Sequence, residues 1–161
     1  MTSGQWLRAW LPVLLWAVLI FTLSTEYFSA ERTGGFILPV IHWLFPRLTP
    51  HQLRVVHHYV RKSAHFTEYF VFALLLFRGV RGAGKGWRWT WAFAALSAAA
   101  LYAALDEVHQ SFAAGREARF FDAVIDTAGA LAAVCVLWLW FRVRLPRPSP
   151  QAAAPDRPPS A

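Results

Sequence analysis

The stretch Arg61-Lys62-Ser63-Ala64-His65-Phe66-Thr67-Glu68-Tyr69-Phe70-Val71-Phe72-Ala73-Leu74-Leu75-Leu76-Phe77 begins with ionisable side chains and ends in uninterrupted hydrocarbon. Upstream of it, Thr49-Pro50 forms a helix start, with Thr as N-cap and Pro at the first helical position. One helix is therefore expected from residue 50 to Phe77. Its apolar half suits a lipid environment, but a charge facing lipid near the midplane costs about 3 kcal/mol or more. Its polar half must then turn inward, toward other helices that supply partners.

The rest of the chain supplies those helices. The 161 residues are 57% hydrophobic and 16% aromatic, with a mean hydropathy of +0.35, which is too apolar for a soluble domain of this size. Trp6 to Leu23, Trp87 to Leu105 and Val124 to Phe141 each approach the roughly 20 helical residues that span hydrocarbon. The first is interrupted only by Arg8 and Pro12. A cleaved signal peptide is the alternative for it, with Thr22 to Ser24 as the best small-residue site and a poor sequence after it. Phe36 to Phe45, between the turn elements Thr33-Gly34-Gly35 and Pro46, is too short to cross and is expected in the interface with His42 and Trp43. Beyond Arg144 a Pro- and Ala-rich tail is expected to be disordered. The fold class expected is thus an all-α integral membrane bundle of four transmembrane helices, up-down, with an interfacial segment in the first outer loop. The expected domains are a membrane domain over 1–145 and a tail over 146–161.

Small residues mark where helices meet. Ala95, Ala99 and Ala103 recur at four-residue spacing in the third segment, and Gly129 and Ala133 do so in the fourth. The net charge of +7 comes from 16 Lys and Arg against 9 Asp and Glu. No nucleic-acid-binding pattern accompanies it, so no nucleic-acid partner is expected. The basic residues instead flank apolar segments, and membrane lipids are the expected partners. Arg78, Arg81, Lys85 and Arg88 follow the second segment, and Arg142, Arg144 and Arg147 follow the fourth, which puts both termini in the cytoplasm. A single cysteine, Cys135, permits no intrachain disulfide.

Up-down threading brings the ionisable residues to one end. Measured from Phe77 at 1.5 Å per residue, Glu68 lies about 13 Å in, His65 about 18 Å and Lys62 about 22 Å. Asp126 lies about 22 Å from Phe141 and Asp122 about 28 Å. Lys62, His65 and Tyr69 share one helical stripe, Asp106 and Gln110 a second, and Asp122, Asp126 and Gly129 a third. An interhelical hydrogen-bond network that only fixes helix order would return about 0.6 kcal/mol per bond. Ser, Thr and Asn would serve that purpose, whereas this chain uses His, Lys and several acids. No metal is expected, since His-x-x-x-His spacing is absent, and no cofactor is indicated. His57, His58 and His109 stand apart and are expected to be interfacial and solvated.

The segments Arg61 to Tyr69, Asp106-Glu107-Val108-His109-Gln110-Ser111-Phe112, Gly115-Arg116 and Asp122 to Asp126 with Gly129 resemble the VanZ-like family in residue order, type and spacing. The resemblance runs from about Phe21 to Val134, because Phe21-Thr22-Leu23-Ser24 is similar to the family's first-helix ending. Arg61 stands where many members have Asp, and Ala114 where many have Pro. The resemblance implies that Lys62, His65, Tyr69, Asp106, Glu107, Gln110, Arg116, Asp122 and Asp126 matter, and that the protein belongs to the bacterial cell envelope with a link to glycopeptide resistance, particularly to teicoplanin.

From the residues comes an expected outward-facing pocket. Lys62, Arg116, Tyr69 and Gln110 would bind an anionic envelope lipid or peptidoglycan precursor. His65, Glu68, Asp106, Glu107, Asp122 and Asp126 would carry any acid-base chemistry. Whether the protein is an enzyme stays open. A non-catalytic structural or binding role, or proton-linked transport, is the alternative, although the cytoplasmic halves of the segments hold few polar residues beyond Ser97.

Overall fold

A computed structural model describes residues 2–25, 30–111 and 120–144, and these form five helices: α1 (Ser3–Leu23), α2 (Ala30–Leu44), α3 (Pro50–Arg81), α4 (Trp89–Ser111) and α5 (Phe120–Arg144). No strand occurs among the described residues. Three helices, α1, α4 and α5, are long and apolar enough to cross a membrane. α3 is longer than any of them, but Arg54, Arg61, Lys62 and Glu68 lower its apolarity. Arg116, the expected tail and the loop motif Gly115-Arg116 lie outside the described residues.

Local chemistry sets the helix starts. Thr2 and Gln5 form a reciprocal capping box on α1, the Gln5 side-chain oxygen accepting from the Thr2 backbone N–H at 3.0 Å. Thr49 and Gln52 repeat it on α3, with Pro50 entering the first turn as the sequence predicts. α3 runs four residues past Phe77 and stops at Gly82, whose φ of 51° ends the helical path. α4 and α5 likewise extend beyond the apolar runs, so that Gln110 and Asp122 lie on helix and not in loops.

The turn expected at Thr33-Gly34-Gly35 is absent, and these residues are helical within α2. Tertiary contacts override their loop preference. Arg61 donates from Nη1 to Thr33 Oγ1 at 2.9 Å, and the site of a Gly34 Cβ lies 3.7 Å from His57 Cε1, so glycine lets α2 lie close on α3. Pro46 does sit in a turn after α2.

α3 packs against all four other helices. Side-chain pairs give the directions. Ser24 meets Asp106 and Tyr102 meets Ala17, so α1 and α4 run parallel. Lys62 meets Asp122 and Phe77 meets Phe141, so α3 and α5 run parallel. Trp89 packs near Trp138, so α4 is antiparallel to α5. The four long helices therefore alternate up and down in chain order.

The small-residue stripes meet as the spacing predicts. Ala95, Ala99, Ala103 and Ala133 are buried. At Gly129 the approach is closest: a Cβ there would stand 3.0 Å from the carbonyl carbon of Phe66, and nearer still to its oxygen. Tyr69, Phe72, Leu76 and Phe77 fill the core on the other side of that contact. Leu15, Val18, Phe93, Leu101 and Val136 point outward and are more than half exposed, as lipid-facing residues would be.

Candidate functional site

Among the described residues the buried polar side chains are Ser24, His57, Asp106, Gln110 and Asp126, all in the half of the bundle that holds the end of α1, the start of α3, the end of α4 and the start of α5. The opposite half has an alanine and aromatic core. This segregation follows from the sequence order of each helix, polar-first in α3 and α5 and polar-last in α4, combined with the alternating directions.

The close approach at Gly129 sets α5 against α3 so that two polar pairs form across the seam. Lys62 Nζ pairs with Asp122 Oδ1, with about a fifth of each side chain exposed (19% and 23%). One turn deeper, His65 Nδ1 lies 3.6 Å from Asp126 Oδ1, and the Asp126 side chain is 3% exposed. That separation is too long for a hydrogen bond and becomes an ion pair only when the imidazole is protonated. Asp126 Oδ1 and the Tyr69 hydroxyl are buried without a hydrogen-bond partner among the described residues.

A second constellation joins α1 to α4. Asp106 Oδ2 accepts from Ser24 Oγ at 2.7 Å and from Gln110 Nε2 at 2.8 Å, and Gln110 Nε2 also reaches Ser24 Oγ at 3.4 Å. Tyr69 lies within electrostatic reach of Asp106 and Asp126 and so links the two groups. Asp126 in turn feels Asp106, Asp122, Glu68 and Glu107.

The expected residues Lys62, His65, Tyr69, Asp106, Gln110, Asp122 and Asp126 are thus gathered in one region. Glu68 and Glu107 are half-buried at its edge, with the Glu68 carbonyl accepting from Trp16 Nε1 at 2.9 Å. Arg116 lies outside the described residues.

Ser24 is the member that sequence reasoning gave no role. Its signal was a small hydroxyl closing an apolar helix at the level where acids close the neighbouring one. His57 corrects another expectation: it is buried at 7% exposure beneath α2, not solvated. His109 packs its ring 4.6 Å from that of Phe21, while His58 is exposed.

Asp126 and the four acids it feels make five carboxylates, and Lys62 and His65 pair with two of them. Among the described residues no three His, Cys, Asp or Glu side chains are grouped to hold a metal ion. Chemically, the carboxylates accept hydrogen bonds from hydroxyl or amide groups, and a protonated His65 would pair with Asp126 as an ion. Lys62 is partly exposed and its ammonium has three donors, so an incoming anion would share it with Asp122 or displace that carboxylate.

No curated protein matches the chain. No solved structure matches it either. The VanZ/LLP1 family profile matches residues 9–142, which takes in every polar pair described above, and with most of its length covered the chain belongs to the VanZ/LLP1 family.

Proposed function

We propose that the protein is a multi-pass membrane protein of the bacterial cell envelope, with α3 as its fourth crossing, and that its carboxylate-rich cluster binds the headgroup of a lipid-linked envelope precursor. Three apolar helices and family membership support the membrane setting. α3 joins them because it packs against all the others and would carry its charges inward, away from lipid. The basic loop after α3 and the basic end of α5 then face the cytoplasm, and the cluster faces out.

The observation that carries the reading is the Lys62–Asp122 pair standing partly exposed above the buried Asp106 and Asp126. A phosphate would exchange for Asp122 on Lys62, with Arg116 as a second cation by family resemblance. Sugar hydroxyls or amides would donate to the carboxylates below. A peptidoglycan precursor offers both kinds of group, whereas a simple anionic lipid offers mainly the first. His65, facing Asp126, is the residue to carry a proton if the bound group reacts. Transport is less well supported, because the buried polar residues stop at one half of the bundle.

The reading is tested by the glycopeptide susceptibility, teicoplanin included, of bacteria expressing the wild type, His65→Gln and Asp106→Asn, with membrane abundance measured for each. Protection by the wild type and its loss in both variants at equal abundance is the expected result. Unchanged protection, or variants that vanish from the membrane, would make the network architectural.

A further inference from the structure

At the opposite end of the bundle the described charges are of one sign. Arg8, Arg78, Arg81, Lys85, Arg88, Arg142 and Arg144 are there, and that end carries no acidic residue among the described ones. Three of these cations are stacked on tryptophan: Arg88 on Trp91 at 5.4 Å, Arg142 on Trp138 at 4.7 Å and Arg144 on Trp140 at 3.6 Å. Arg8, Arg78 and Arg81 instead line a groove of about 250 Å³ between the start of α1 and the end of α3, together with Gln5. Buried Ala9 and the helix-ending Gly82, small residues at the same place, keep it open.

Arg81 is the built element of this groove. Its guanidinium lies over the Phe141 ring at 5.6 Å, which fixes the side chain, and its Nε is buried without a hydrogen-bond partner among the described residues. Arg8, Arg78 and Arg81 line one groove at an end with no acidic side chain among the described residues, and an anion with several oxygens can accept from more than one of them. The α1 N-terminus adds a positive macrodipole end beside Gln5.

We infer that this groove is an anion site for a phosphate group, held by Arg8, Arg78, Arg81 and Gln5, and that an anionic phospholipid of the membrane face opposite the carboxylate cluster supplies it. The site is independent of the proposed precursor-binding cluster and stands whether or not that cluster is functional.

The test uses the full chain, purified in a neutral detergent, with phosphatidylglycerol, phosphatidylcholine and inorganic phosphate as probes and native mass spectrometry as readout. Phosphatidylglycerol should be retained over phosphatidylcholine, with retention falling at least about tenfold in Arg8→Gln/Arg81→Gln and unchanged in Arg142→Gln/Arg144→Gln. Because Arg81 packs on Phe141, the exposed pair Arg8→Gln/Arg78→Gln is measured alongside, and the same loss is expected there with unaltered thermal stability. Equal losses in the groove and control variants would mean diffuse surface charge and overturn the site. Inorganic phosphate binding with no preference between the two lipids would overturn the lipid assignment.

Discussion

Replacing Gly129 by alanine should separate α5 from α3 and weaken both polar pairs across their seam. The added Cβ would stand 3.0 Å from the Phe66 carbonyl carbon, 3.2 Å from its Cα and closer again to the carbonyl oxygen. Non-bonded contacts are comfortable at about 3.5 Å, and the approach to the carbonyl oxygen is the shortest, so the helices must part locally by about 1 Å. No side chain can rotate aside, because the obstacle is backbone. Overpacking of this kind costs about 1–3 kcal/mol. Parting the helices would also stretch Lys62 from Asp122 and His65 from Asp126, about two turns and one turn along α5 from the contact. A fully buried pair broken on one side costs about 3–5 kcal/mol, and partial exposure of Lys62 and Asp122 reduces that share. The expected total is about 2–4 kcal/mol. Reversible unfolding in mixed SDS and neutral-detergent micelles, followed by tryptophan fluorescence, would read it. Gly79→Ala is the matched control, since its Cβ would meet only side-chain atoms of Trp10 and Val13 at 3.5–3.6 Å. A Gly129→Ala protein as stable as wild type would refute the close α3–α5 approach and the site built on it.

Two further outcomes follow from the same geometry. With Cys135 replaced by serine, a cysteine at exposed His51 and one at exposed Lys85 should react with a membrane-impermeant maleimide from opposite sides of the membrane; labelling from the same side would remove α3 as a crossing. Ser24→Ala should cost about 1–2 kcal/mol in the micelle assay, because a buried carboxylate loses one of its donors; no change would mean that the α1–α4 link carries no energy.

Much of this arrangement was legible in the sequence, for identifiable reasons. Charged residues in an apolar helix have few tolerable directions to point, so the stripes Lys62-His65-Tyr69, Asp106-Gln110 and Asp122-Asp126 fixed which faces turn inward. Thr49-Pro50 marked a helix start because its capping chemistry is local. What failed was non-local. Thr33-Gly34-Gly35 reads as a turn by propensity, yet it is helical where Arg61 and His57 receive it. His57 looked solvated because nothing in its neighbours announces that α2 covers it. Nor does spacing say that Asp122 claims Lys62, so that an anion reaching this cation meets a competing carboxylate and must share or exchange with it.

That exchange is where the central claim is most exposed, and the direct measurement is binding of a lipid-linked peptidoglycan precursor to purified wild type, Lys62→Ala and Asp122→Asn proteins in nanodiscs of neutral lipid. Freed of its competing carboxylate, Lys62 in Asp122→Asn should bind the precursor more tightly than wild type, by about two- to threefold if half of the roughly 1 kcal/mol of a partly exposed pair is released. Lys62→Ala should lose binding. Equal affinity across the three proteins, or weaker binding in Asp122→Asn at unchanged stability, would contradict the account.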